Sequence, residues 1–130
     1  KSRNNFINIF LADKPLRKQI MSIVTDSTPL EDPKNPDTCN VFALYKLLGS
    51  SEQIEQLRKK YEDGNFGFGH AKQELYELIL EKFNAVRERY NYFMTNDDEL
   101  EHLLQEGADK ARIVARQTLK RVRNVLGYVQ

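Results

Sequence analysis

Apolar residues recur at helical spacing along most of the chain. Leu16, Ile20 and Val24 share one face of a helix over about 13–25. Asp13 stands where an N-cap belongs, and Pro15 lies in the first turn, where a missing N–H costs little. Val41, Leu44, Tyr45 and Leu48 mark a second helix, opened by Asp37 or Thr38 and ended by Gly49. Ser50 with Gln53 has the pattern of a capping box ahead of Ile54, Leu57 and Tyr61, with Gly64 closing that helix. The longest stripe, Leu75, Leu78, Ile79, Phe83, Val86, Tyr90 and Phe93, predicts a helix over about 70–94. Asn96 or Asp97 opens a short acidic helix ending at Gly107. Ala111, Ala115, Leu119, Val122 and Leu126 then form the inward seam of a last helix, stopped by Gly127.

The interruptions are as informative as the stripes. Residues 26–37 hold Pro29, Pro33 and Pro36, which no regular helix accommodates, so this stretch reads as a turn-rich connector. Residues 64–69 are a glycine-rich turn. The alternating patch from Phe6 to Leu11 is too short to define an element. No period of solenoid length is present. The pattern predicts an all-α bundle of five to six helices, with residues 1–12 as a connector and 13–130 as the helical domain.

Hydrophobic residues make up 40% of the 130 and charged residues 30%, enough for one modest core. The single cysteine, Cys39, has no internal partner, which fits a reducing compartment. No apolar run reaches the ~18–20 residues of a membrane span and no signal-peptide pattern is visible, so the expectation is a cytoplasmic protein with no membrane partner. The net charge of +1 says little, but its distribution is uneven. Residues 95–106 carry five acids and no base, whereas residues 107–130 carry six bases against Asp109 alone. Two readings fit that basic end: a phosphate-binding face, or a solvated helix face whose charges aid solubility.

Catalytic and metal-binding patterns are missing. His70 and His102 are far apart and Cys39 stands alone, so no metal site is expected. Gly64, Gly67 and Gly69 follow no strand and precede no Lys-Ser/Thr, so they do not form a phosphate-cradling loop. The last helix carries the chemistry that remains. Arg112, Arg116, Lys120 and Arg123 follow i, i+4, i+8, i+11 and share a face, spanning about 16 Å. Guanidinium groups bond phosphates bidentately and stack on unpaired bases. On the long helix, Arg87 and Arg89 lie beside Tyr90 and Tyr92, a mixture suited to splayed RNA bases. The alternative keeps Tyr90 in the core and pairs Arg87 or Arg89 with glutamates of the same helix.

Several strings resemble the tryptophanyl-tRNA synthetase family, in order and across essentially the whole chain. Lys1-Ser2, followed by Asn4-Asn5, resembles the end of the Lys-Met-Ser-Lys-Ser loop of class I synthetases and its continuation. Ile20-Met21-Ser22-Ile23-Val24-Thr25-Asp26-Ser27 resembles the family's helix ending in Val-Thr-Asp-Ser. Asn40-Val41-Phe42-Ala43-Leu44-Tyr45 parallels Asn-Leu-Leu-x-Ile-Tyr. Tyr61-Glu62-Asp63-Gly64-Asn65-Phe66-Gly67 is an imperfect match to a Tyr-x-Gly-x-Gly-Tyr-Gly turn. Glu88-Arg89-Tyr90 and Gly107-Ala108-Asp109-Lys110-Ala111 complete the series.

The resemblance implies a C-terminal, anticodon-reading helical domain. The intact enzyme would activate tryptophan with Mg-bound ATP, charge its cognate tRNA and work as a homodimer, with no DNA partner. It assigns Lys1 and Ser2 to the ATP-binding signature loop, where the lysine would stabilise charge as pyrophosphate leaves. The nucleotide-binding fold and tryptophan pocket are not in this sequence, so this chain alone is expected to be inactive and to bind no cofactor. On the same resemblance Arg112, Arg116, Lys120, Arg123, Arg87, Arg89 and Tyr92 are the tRNA-binding candidates. A helical protein-interaction module is a competing reading. So is the corresponding domain of a tyrosyl-tRNA synthetase, though the Gly-Ala-x-Lys-Ala string and Glu88-Arg89-Tyr90 fit the tryptophan branch better.

Overall fold

The computed structural model describes residues 6–128. Five α-helices account for most of them: α1 Asp13–Met21, α2 Asn40–Leu48, α3 Ser51–Asp63, α4 Phe68–Thr95 and α5 Asp97–Val125. A 3₁₀ turn over Pro36–Thr38 precedes α2. The described residues contain no strand, so the expected all-α class holds. The chain divides into two compact units, one reaching to Glu88 and one starting at Arg89, with the division inside α4. Among the described residues no helix is long and apolar enough to cross a membrane.

The first unit is built on Leu16 and Ile20 of α1, Val41 and Phe42 of α2, Leu57 and Tyr61 of α3, and Ala71 and Leu75 of α4, all essentially without solvent contact. Tyr61 lies at its centre. Its ring packs edge-on against Phe42 at 5.5 Å and Phe68 at 6.1 Å, and its hydroxyl meets the Cys39 thiol at 3.4 Å. Burial pushes the Tyr61 hydroxyl far above the ordinary tyrosine range, with the Cys39 contact adding to the rise.

Several helix ends fall where local chemistry dictates. Ser50 accepts the Gln53 N–H at 3.2 Å while the Gln53 side chain accepts the Ser50 N–H at 2.9 Å, so the capping box is formed. Gly127 adopts φ +75°, with Tyr128 N–H on the Arg123 carbonyl and Gly127 N–H on that of Asn124, a complete Schellman stop. Gly64, at φ +76°, passes so close to the connector that a Cβ would lie 2.5 Å from the Glu31 carbonyl oxygen. Gly49 differs: its φ is −72°, and a side chain there would meet the Tyr45 ring at 3.1 Å.

Other boundaries depart from the pattern. Helix α1 stops at Met21, because the Ser22 hydroxyl donates to the Gln19 carbonyl at 2.7 Å and closes the last turn. Val24 therefore leaves the seam and is exposed. Asp13 is the first helical residue rather than the cap, and its carboxylate pairs with Arg87. Pro36 forces a 3₁₀ turn whose cap is Asn35, accepting the Asp37 N–H at 2.9 Å, so α2 begins only at Asn40. Asp37 instead meets Arg58 at 2.8 Å, whose hydrogen bond holds the carboxyl below the usual aspartate range.

The largest departure concerns the end of the chain. The sequence predicts a short acidic helix and then a second one; α5 runs through Gly107 without a break. A lone glycine costs a helix only about 1 kcal/mol. Side-chain pairs at helical spacing bridge it: Gln105 donates to Asp109 at 3.0 Å, and Lys110 approaches Glu106 at 3.9 Å. The expected inward seam is also absent, since α5 has no buried residue, and Leu119, Val122 and Leu126 are exposed. On α4 the stripe is buried through Leu78 and Ile79, whereas Val86 and Tyr90 are exposed.

The proline-rich connector is organised by a buried charge. The Lys34 ammonium, almost wholly enclosed, donates to the carbonyls of Pro29 at 2.7 Å, Leu30 at 3.2 Å and Asp32 at 2.9 Å. Its backbone N–H donates to the Tyr61 carbonyl at 2.7 Å, tying the connector to α3. A segment with so few internal backbone bonds needs partners of this kind.

Candidate nucleic-acid interface

In α5 the charges follow the helix dipole. Asp97, Asp98 and Glu99 occupy the first turn and Arg123 the last. The second half carries the predicted row. At 100° per residue, Arg112, Arg116, Lys120 and Arg123 occupy roughly 80° of arc and extend about 16 Å along the axis. All four are exposed. Arg112 is engaged with Asp109 at 2.7 Å, a solvated contact one helical turn away and worth little. Arg116, Lys120 and Arg123 have no ion pair among the described residues. The exposed apolar seam of Leu119, Val122 and Leu126 flanks the row on one side. Arg121, half a turn away from the row's centre, is exposed and points elsewhere.

At the end of α4, Arg89 is exposed with its guanidinium 5.5 Å from the Phe93 ring. Tyr92 is half-exposed, packs edge-on against Phe93 at 5.5 Å, and donates its hydroxyl to Glu99. That carboxylate contact raises the Tyr92 hydroxyl above the ordinary tyrosine range. Both side chains present a planar face with solvent access, the property that base stacking needs.

Arg87 does not join this group. Its guanidinium donates to the Leu11 carbonyl at 2.9 Å, to the Ile9 carbonyl and to the Asp13 carboxylate at 2.6 Å, leaving the side chain 11% exposed. The sequence alternatives for Arg87 were RNA or a glutamate of its own helix. The partner is instead the segment ahead of α1, more than seventy residues away. No helical periodicity carries such a signal. The signature-loop candidates Lys1 and Ser2 lie outside the described residues.

The likeness to known proteins is to aminoacyl-tRNA ligases. No family model matches the chain. The tryptophan–tRNA ligase of Fusobacterium nucleatum is 46% identical over 129 residues, covering 99% of this chain and 39% of that protein. That of Campylobacter jejuni is 42% identical over 127 residues, covering 98% of this chain and 40% of that protein. The crystal structure of the Campylobacter jejuni tryptophanyl-tRNA synthetase complexed with ADP and tryptophan superposes with a TM-score of 0.93 at 40% identity, over 98% of this chain and 40% of that one. The chain thus matches the C-terminal portion of tryptophan–tRNA ligase, spanning about 40% of the length of these relatives.

Proposed function

We propose that this chain is the tRNA-facing helical part of a tryptophan–tRNA ligase and that the second half of α5 holds the anticodon arm. The observation that carries this is the row Arg116, Lys120 and Arg123, solvated and without ion pairs among the described residues, on a chain similar over its whole length to such ligases. Arg112 joins the row when its exposed contact with Asp109 exchanges for phosphate. Three or four cations over about 16 Å track successive phosphates of a strand. Arg89 and Tyr92 offer stacking faces for unpaired bases, and Arg87 takes no part.

On this reading the intact ligase uses Mg-bound ATP to activate tryptophan, acts as a homodimer on its cognate tRNA, and works in the cytoplasm without a membrane or DNA partner. The buried thiol of Cys39 accords with a reducing compartment. The bound ADP and tryptophan of the Campylobacter jejuni enzyme support the substrate assignment. The test is binding of this chain to the anticodon stem-loop of tryptophan tRNA against a stem-loop of equal length and altered anticodon. Tighter binding to the tryptophan loop is expected. Equal affinity for both, or preference for acidic proteins over either RNA, overturns the assignment.

A further inference from the structure

The polar contacts that fix the segment ahead of α1 have an unusual economy. Residues 6–12 form no helix, yet their backbone is pinned from two sides. From α1, the Gln19 side chain accepts the Asn8 N–H at 3.0 Å and donates to the Phe6 carbonyl at 2.9 Å. From α4, Arg87 takes the carbonyls of Ile9 and Leu11 together with the Asp13 carboxylate. Ile7, Ile9 and Leu11 pack against the core of the first unit. The Asn8 side chain accepts the Phe10 N–H at 3.1 Å, closing a local turn. A planar fork fixes two carbonyls and a carboxylate in direction as well as distance, which an ammonium cannot do.

We propose that Arg87 is a positioning residue for the signature loop, acting through the backbone of residues 6–13 that it and Gln19 hold against the helical domain. The proposal rests on the reading of this chain as part of a tryptophan–tRNA ligase, with Lys1-Ser2 ending that loop. Four residue steps separate Ser2 from Phe6, and a chain of that length spans at most about 14 Å. The clamped segment therefore fixes the anchor from which the loop reaches the ATP phosphates. Asp13 orients the guanidinium, and its loss leaves the two carbonyl contacts in place.

The test uses the full-length ligase carrying Arg87→Gln, Arg87→Lys or Gln19→Met. The readouts are tryptophan-dependent ATP–pyrophosphate exchange, with separate KM values for ATP and tryptophan, and the Kd for tRNA. Arg87→Gln is expected to raise the KM for ATP about tenfold, while the KM for tryptophan and the tRNA Kd stay within about twofold. Arg87→Lys retains the contact to Asp13 and recovers part of the loss. A purely structural role lowers the active fraction and moves no KM, so an unchanged KM for ATP overturns the proposal. So does a parallel rise in both KM values. If Arg87→Gln fails to fold, Gln19→Met carries the same expectation and the same refutation. Absence of exchange by the unmodified full-length protein refutes the ligase reading itself, a result distinct from either.

Discussion

Lys34→Met isolates the role of the buried ammonium in the connector. Methionine keeps most of the stem but removes three donors, leaving the carbonyls of Pro29, Leu30 and Asp32 to find water or go without. Hydrogen bonds from a charged group contribute roughly 1.5–3 kcal/mol each. Against that gain stands the desolvation of the ammonium, several kcal/mol, which methionine does not incur. The exposed outer surface of the connector lets water reach some of the freed carbonyls. The net loss is then about 2–4 kcal/mol, a large fraction of the ~5–10 kcal/mol expected of a small domain. Urea unfolding followed by circular dichroism should show a midpoint lower by about 1–2 M, for a slope of ~2 kcal/mol per M. Limited proteolysis should cut within residues 26–37 sooner than in the parent chain. A loss under about 0.5 kcal/mol, with the connector no easier to cut, would refute the view that Lys34 organises it.

Two further outcomes follow from other elements. Gly107→Ala places a methyl group in open space on a continuous helix, so α5 should gain about 0.5–1 kcal/mol and helical signal should rise; a loss of helicity would mean that a break at Gly107 exists after all. Tyr61 stays protonated in the folded chain far above the pH at which it ionises when unfolded. Its contribution is complete below pH about 10, and stability then falls by up to ~1.4 kcal/mol per pH unit as the solution becomes more alkaline. Urea midpoints measured between pH 9 and about 11 check this, and a Tyr61→Phe variant should lose most of the added slope.

The sequence disclosed what depends on neighbours a few residues apart. The capping box of Ser50 and Gln53, the Gly127 stop and the buried faces of α2, α3 and the first half of α4 were all legible, because capping and periodicity are local. Three features were not. Gly107 read as a terminator because glycine favours helix ends, whereas i,i+4 pairs on either side carried the helix through. Ala111, Ala115, Leu119, Val122 and Leu126 read as inward-facing because amphipathicity marks a face without naming what covers it. Lys34 and Arg87 engage backbone carbonyls, which look alike in every residue and leave no trace in composition or spacing. Within the candidate interface, the row from Arg112 to Arg123 could be placed from periodicity. That Arg87 is occupied elsewhere could not.

The salt dependence of tRNA binding tests the central claim most directly. Affinity for tryptophan tRNA should be measured over a range of salt concentrations for the parent chain and for the Arg116→Ala/Lys120→Ala pair. If these side chains hold phosphates of an unpaired loop, the pair should bind more weakly, and the slope of log K against log salt should flatten by about 1.4, roughly 0.7 for each lost contact. Two superimposed lines, equal in slope and affinity, would contradict the account.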